Sequence, residues 1–193
     1  MVLVRHGETE WSRTRQHTGR SDLPLTAIGE EQATALRPVL SRRTFGLVLA
    51  SPLGRAARTA ELAGLPAMEL EPALVEWDYG SYDGRTTVDI QRERPGWTVW
   101  NGGTPDGETA EAVGIRADRV LERVRRFQAD DDRDVALVGH GHALRVLTAR
   151  WLGLPPVCGR LFQLDTATVS VLSEEHRCPV LRRWNLSAED PWA

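Results

Sequence analysis

Three short apolar runs in this chain end in residues suited to phosphate chemistry. Val2-Leu3-Val4 runs into Arg5-His6-Gly7-Glu8, Leu47-Val48-Leu49-Ala50 leads through Ser51-Pro52 to Arg55 and Arg58, and Val135-Ala136-Leu137-Val138 ends in Gly139-His140-Gly141-His142. Arginine forks match phosphate oxygens bidentately. A neutral imidazole is a nucleophile near neutral pH, since its ordinary pKa is about 6.5. Attack by such a ring would give a covalent intermediate on histidine. Each piece alone has a plainer reading. An Arg-His pair is commonly a surface pair, His140 and His142 are spaced as a metal-ligand pair, and Glu76 alone reads as an exposed loop carboxylate. The repetition of one feature at three run ends favours phosphate.

The elements that must position these groups follow from the apolar pattern. The three runs read as buried strands, with further strands at Met68–Leu70, Val169–Leu172 and Val180–Leu181. Helix-like stretches lie between them: about Ala27 to Leu40 behind Thr26 as N-cap, Leu53 to Leu62, Glu108 to Phe127 with Val113, Val120, Leu121 and Val124 near one face, and Ala143 to Leu152. Strands alternating with helices imply an α/β fold with a largely parallel sheet. In such sheets ligands bind beyond the carboxyl ends of the strands, where helix N-termini add N–H donors. Residues 77–107 are rich in Gly, Pro, Trp and Asp, which predicts loops and short helices, an insertion over the sheet edge. Its aromatics Trp77, Tyr79, Tyr82, Trp97 and Trp100 read either as a satellite core or as a wall over a ligand's carbon skeleton.

Composition bounds the rest. A length of 193 residues suits one domain, here 1–193, and 41% apolar with 26% charged residues is ordinary globular usage. With 24 basic and 27 acidic residues the net charge is −3, so no global basic field recruits nucleic acid. No apolar run approaches the ~20 residues that span a bilayer, and Arg5-His6 interrupts any secretory leader. A cytoplasmic protein without membrane or nucleic-acid partners is expected. Every basic side chain that is always charged is arginine, and the absence of lysine excludes a lysine Schiff base and a P-loop lysine. Cys158 and Cys178 are too few for a disulfide framework or a four-cysteine zinc site, and are expected to be reduced.

The motifs together resemble the histidine phosphatase superfamily, in its phosphoglycerate-mutase-like branch. Leu3-Val4-Arg5-His6-Gly7-Glu8-Thr9 is similar to its RHG signature, and Thr18-Gly19, Leu23-Pro24-Leu25-Thr26, Ser51-Pro52-Leu53 with Arg55-Ala56, Glu76 with Tyr79-Gly80, and His140-Gly141 follow in the family's order. The resemblance implies a three-layer αβα sandwich. It implies His6 as the nucleophile, Arg5, Arg55 and His140 as ligands of the transferring phosphoryl group, and Glu76 as the proton carrier. It places Ser12, Thr18 and Gly19 at the phosphate site and His142, beside Gly141, against substrate. It implies no metal and no cofactor. Ser12 stands where asparagine is commoner, and His17 where an aromatic residue is.

The family holds both phosphatases and mutases. Here the insertion is short, and its cations Arg85, Arg92 and Arg94 are accompanied by Asp83, Asp89 and Glu93, so water access is favoured over retention of a bisphosphate. Segments 75–84, 100–109 and 139–145 resemble the acid-phosphatase and sugar-bisphosphatase members, which implies hydrolysis of small phosphorylated metabolites. A mutase is the alternative, and a phosphate-binding protein without activity a third reading. Dimers are common among relatives, and the tail from Val180 to Trp192 is expected to form a last strand plus a packed end or a subunit contact.

Overall fold

The computed structural model describes residues 1–190. Six strands form one sheet: β1 (Val2–Arg5), β2 (Phe45–Ala50), β3 (Glu69–Leu70), β4 (Asp134–Gly139), β5 (Val169–Glu175) and β6 (Cys178–Leu186). Their order is β3-β2-β4-β1-β5-β6. The first four are mutually parallel, while β5 runs antiparallel to both β1 and β6.

Side chains alternate across a strand, and the core divides accordingly. Val2, Val4, Ala50 and Val138 face one side, where they pack against Leu36, Leu40, Ala56, Ala60 and Ala63. The short α1 (Glu10–Arg13) follows β1, and those residues belong to or adjoin α2 (Ala27–Ala35), α3 (Arg37–Leu40) and α4 (Gly54–Leu62). Leu3, Leu47, Leu49, Val135 and Leu137 face the other side, against α7 (Ala110–Asp130) and α8 (Gly141–Trp151). The result is a three-layer αβα sandwich with a mostly parallel sheet.

The stretch expected as one helix from Ala27 to Leu40 is two. Pro38 has no N–H for the carbonyl four residues earlier, and its ring crowds that carbonyl, so the chain turns at Leu36 and restarts as α3. Thr26 caps α2 as expected, its Oγ1 accepting the Gly29 N–H at 3.0 Å. β6 is longer than Val180–Leu181, and the tail expected to reach Trp192 ends outside the described residues.

Residues 77–107 form a 3-10 turn, α5 (Thr87–Glu93) and α6 (Val99–Gly102), joined by loops. Trp77, Tyr82, Ile90, Trp97 and Val99 are buried in the same apolar cluster as α7 and α8, so this segment is an extension of the main core and not a satellite of it.

Two glycines set how closely the first helical layer meets the β1 loop. A Cβ on Gly7 would lie 2.3 Å from the Gly29 carbonyl oxygen, and one on Gly29 would lie 2.1 Å from that of Glu8. Only hydrogen at both positions allows α2 to lie against residues 7 and 8.

Candidate active site

The site begins with strand register. β1 and β4 are parallel neighbours with Arg5 opposite Gly139, so His6 and His140 are the next residues at adjacent strand ends. The His6 N–H donates to the Gly139 carbonyl at 3.0 Å, and the two imidazole centroids are 5.1 Å apart. The His6 ring lies with Nδ1 2.7 Å from the Gly7 carbonyl oxygen. A carbonyl only accepts, so Nδ1 carries the proton and Nε2 keeps its lone pair. Burial, reinforced by the charges of Arg5 and Arg55, holds the His6 pKa well below 6.5. The ring is therefore neutral at neutral pH. His140 is fully buried, its pKa depressed by burial and then by Arg55, and its Nε2 lies 2.7 Å from Ser51 Oγ.

The two arginines come from different elements. Arg5 ends β1 and donates through Nη1 to the Leu164 carbonyl at 2.5 Å. Arg55, in the first turn of α4, is fully buried; it donates to the carbonyls of Ser21 at 2.7 Å, Gly19 at 3.0 Å and Thr18 at 3.2 Å. These bonds tie loop 18–21 to α4 and fix the fork. Three buried side-chain nitrogens remain without a partner among the described residues: Arg5 Nε, Arg55 Nε and His140 Nδ1. Buried polar groups are ordinarily paired, and these three lie at, or in the case of Arg55 one helical turn beyond, the strand ends singled out in the sequence.

Glu76 follows the 3-10 turn Pro72–Leu74 and is 5% exposed. Its Oε1 accepts the N–H groups of Trp77 at 2.8 Å and Ala143 at 2.8 Å, and its Oε2 accepts that of His142 at 3.0 Å. Two of these donors belong to the first turn of α8, whose N–H groups have no partner within the helix.

A cavity of about 350 Å³ opens above these groups. Among the expected residues Arg5, His6, Ser12, Thr18, Glu76, Gly141 and His142 line it. Arg55 and His140 do not line it and are fully buried. Gly19 does not line it: its carbonyl holds Arg55 and its N–H donates to Asp83 Oδ1 at 2.6 Å. The Ser12 hydroxyl borders the cavity but is engaged in a cap, donating to the Thr9 carbonyl and accepting the Thr9 N–H, each at 2.9 Å. His140 and His142 do not converge as a ligand pair, since His140 bonds Ser51 and His142 Nδ1 lies 2.6 Å from the Tyr79 hydroxyl.

Several lining residues carry no sequence-based expectation of a role: Arg15, Gln16, Arg145, Leu164, Asp165 and Thr166. Arg145 had a findable signal, because it lies three residues after His142 on α8 and so shares its face. Its guanidinium stacks over Trp100 at 4.8 Å and donates to the carbonyls of Gly159 and Arg160. Leu164 to Thr166 arrive by way of β5, whose antiparallel course brings its start beside the end of β1. Of the insertion aromatics, Tyr79 both packs and borders the cavity. His17 stacks on Tyr79 at 4.7 Å and meets Trp97 edge-on at 5.5 Å, taking the place of an aromatic side chain. Burial lowers its pKa to about 4.

The family model described as "Histidine phosphatase superfamily (branch 1)" matches residues 1–187. An acid phosphatase of Mycobacterium tuberculosis is 39% identical over 178 residues, 91% of this chain and 87% of that one. A sedoheptulose 1,7-bisphosphatase of Saccharomyces cerevisiae is 34% identical over 183 residues, covering 79% and 67%. A probable phosphoglycerate mutase of an Enterobacter species is 37% identical, covering 88% and 82%. The solved structure of an open reading frame from Mycobacterium tuberculosis superposes with a TM-score of 0.92 at 38% identity, over 97% of both chains. These likenesses define a phosphoric monoester hydrolase. More particularly, the chain belongs to branch 1 of the histidine phosphatase superfamily.

Proposed function

We propose that this chain, as one domain, is a metal-independent phosphatase that hydrolyses phosphomonoesters of small metabolites through a phosphohistidine on His6. The observation that carries this reading is a set of three buried nitrogens without partners among the described residues, on Arg5, Arg55 and His140, beside a neutral His6 imidazole whose proton sits on Nδ1.

The geometry supports a two-step transfer. Arg5, Arg55 and His140 bind the phosphoryl oxygens, donating to the charge that spreads over them in the transition state. His6 Nε2 attacks phosphorus, the ester P–O bond breaks, and the leaving oxygen takes a proton from the Glu76 carboxyl. Glu76 then accepts a proton from water as the water oxygen attacks phosphorus, the P–N bond breaks, and its electron pair returns to His6. The bonds that His6 donates to the Gly7 and Gly139 carbonyls hold the nucleophile in place throughout.

Water in the second step, and not a second hydroxyl of a retained bisphosphate, is supported by the insertion's cations. Arg85 pairs with Glu93 at 2.6 Å, Arg92 pairs with Asp89 at 2.8 Å, and Arg94 bonds the Gly102 carbonyl at 3.0 Å. None of the three lines the cavity.

The test is phosphate release in excess EDTA from p-nitrophenyl phosphate, 3-phosphoglycerate, fructose 1,6-bisphosphate, sedoheptulose 1,7-bisphosphate and a nucleotide, beside the His6→Ala variant. Release by the parent and none by the variant is expected. Substantial turnover by His6→Ala would overturn the nucleophile, and isomerisation of phosphoglycerate stimulated by a bisphosphate would favour the mutase.

A further inference from the structure

The cavity wall formed by α8 and the insertion holds an arrangement that the hydrolysis scheme leaves unused. The His142 ring is clamped among aromatics, with Trp100 at 5.2 Å, Tyr79 at 5.8 Å, His17 at 6.2 Å and Trp77 at 6.3 Å between centroids. Its backbone is fixed too, through the bond to Glu76. On one edge the ring meets the Tyr79 hydroxyl, 2.6 Å from Nδ1. Nε2, on the opposite edge, has no hydrogen-bond partner among the described residues and is not a buried atom, and the residue lines the cavity.

That short contact decides where the ring proton sits. Tyr79 is 2% exposed, and its hydroxyl has no other hydrogen-bond partner among the described residues. A buried phenol must place its hydrogen on an acceptor, and Nδ1 is the acceptor within reach. Burial raises the Tyr79 pKa well above 10, so the phenol keeps its proton. Burial, then the charge of Arg145, holds the His142 pKa well below 6.5, so the ring is a neutral imidazole. A neutral imidazole that accepts at Nδ1 carries its hydrogen at Nε2.

We propose that Tyr79 is a positioning residue: its hydroxyl fixes His142 as the Nε2–H tautomer, and His142 thereby donates a hydrogen bond to an oxygen on the substrate's carbon skeleton. The substrate class this selects is a phosphate ester with a hydroxyl or carbonyl oxygen close to the esterified carbon. An aryl phosphate lacking such an oxygen gains nothing from the donor. The donor role rests on the phosphatase reading, because it needs the carbon skeleton in this cavity; the tautomer does not.

The experiment has two readouts. Long-range ¹H–¹⁵N spectra of the ¹⁵N-labelled protein at neutral pH, with His142 assigned by its loss in His142→Phe, are expected to give the Nε2–H pattern. An Nδ1–H pattern would overturn the lock. In Tyr79→Phe the His142 pattern is expected to lose its single tautomer. In the same variant, kcat/KM for fructose 1,6-bisphosphate relative to p-nitrophenyl phosphate is expected to fall about tenfold, the size of one misdirected hydrogen bond. An unchanged ratio would refute the donor role. His142→Phe keeps the ring packing and removes both nitrogens, so it should give a similar fall even if Tyr79→Phe does not fold. If the parent releases phosphate from none of the five esters named above, the phosphatase reading fails and the donor role with it, while the spectrum still decides the tautomer.

Discussion

Replacing Glu76 by Gln tests the proton carrier with little change in shape. The carboxylate accepts two N–H groups on Oε1 and one, from His142, on Oε2. The amide can keep the two bonds on oxygen, but its NH₂ then faces the His142 N–H, donor against donor. A buried donor left without an acceptor costs about 1–3 kcal/mol. For a chain of this length that corresponds to a Tm lower by about 2–12 °C. The chemical consequence is separate and depends on the leaving group. A sugar alkoxide must be protonated as it departs, and a positioned acid contributes ~10²–10⁴-fold to that step. p-Nitrophenolate departs without a proton. The assay is kcat/KM, which reports the first P–O cleavage, for p-nitrophenyl phosphate and for a sugar phosphate, below the measured Tm of the variant. The sugar ester should lose two to four orders of magnitude and the aryl ester far less. Equal losses on both esters would refute Glu76 as the acid and leave it only as a cap on α8.

Other perturbations have equally definite outcomes. His6, His17, His140 and His142 all have pKa values lowered by burial. Below pH 6.5 the unfolded chain therefore binds more protons than the native one, and stability falls as pH falls, by up to about 1.4 kcal/mol per pH unit for each of these groups; a Tm that stays flat from pH 7 to pH 5 would contradict this. Because His6 stays neutral in mild acid, the acid limb of kcat/KM should have its midpoint below 6.5, as a pH profile would reveal. Arg55→Lys cannot span three carbonyls from one ammonium; it should lower stability by about 1–3 kcal/mol, the cost of a buried acceptor left unpaired, and reduce activity further, both measurable by denaturant titration and turnover at matched folded fraction. Gly7→Ala forces a Cβ against the Gly29 carbonyl; overpacking of this kind costs about 1–3 kcal/mol, visible as a lower urea midpoint with an unchanged m-value.

Much of this was legible before any coordinates. The runs ending at Arg5, Ala50 and Val138 predicted both the parallel sheet and the edge at which polar groups gather, because strand ends are where an α/β sheet presents side chains to a ligand. Glu76 was legible only through the family resemblance. Its carboxylate is held by N–H groups of α8, a pairing distant in sequence that no local pattern encodes. The contribution of Leu164 to Thr166 was hidden for a related reason. Alternating strands and helices predict parallel neighbours, whereas β5 is antiparallel and delivers its start to the site. Ser51 has no expected role in the sequence beyond ending the second run, yet its hydroxyl lies 2.7 Å from His140 Nε2. The division of the Ala27–Leu40 stretch was readable from Pro38, whose ring outweighed the good helix formers on either side.

The pairing of β1 with β4 also has a consequence for how the molecule acquires its activity. His6 and His140 are adjacent because two parallel strands far apart in the chain align in one register, and such non-local contacts are slow to close. Helices can regain their hydrogen bonds early in refolding from denaturant, but the His6–His140 neighbourhood exists only once the middle of the sheet has zipped. Recovered turnover would then lag recovered helical signal, and a chain interrupted between the two strands would keep much of its secondary structure while losing its chemistry.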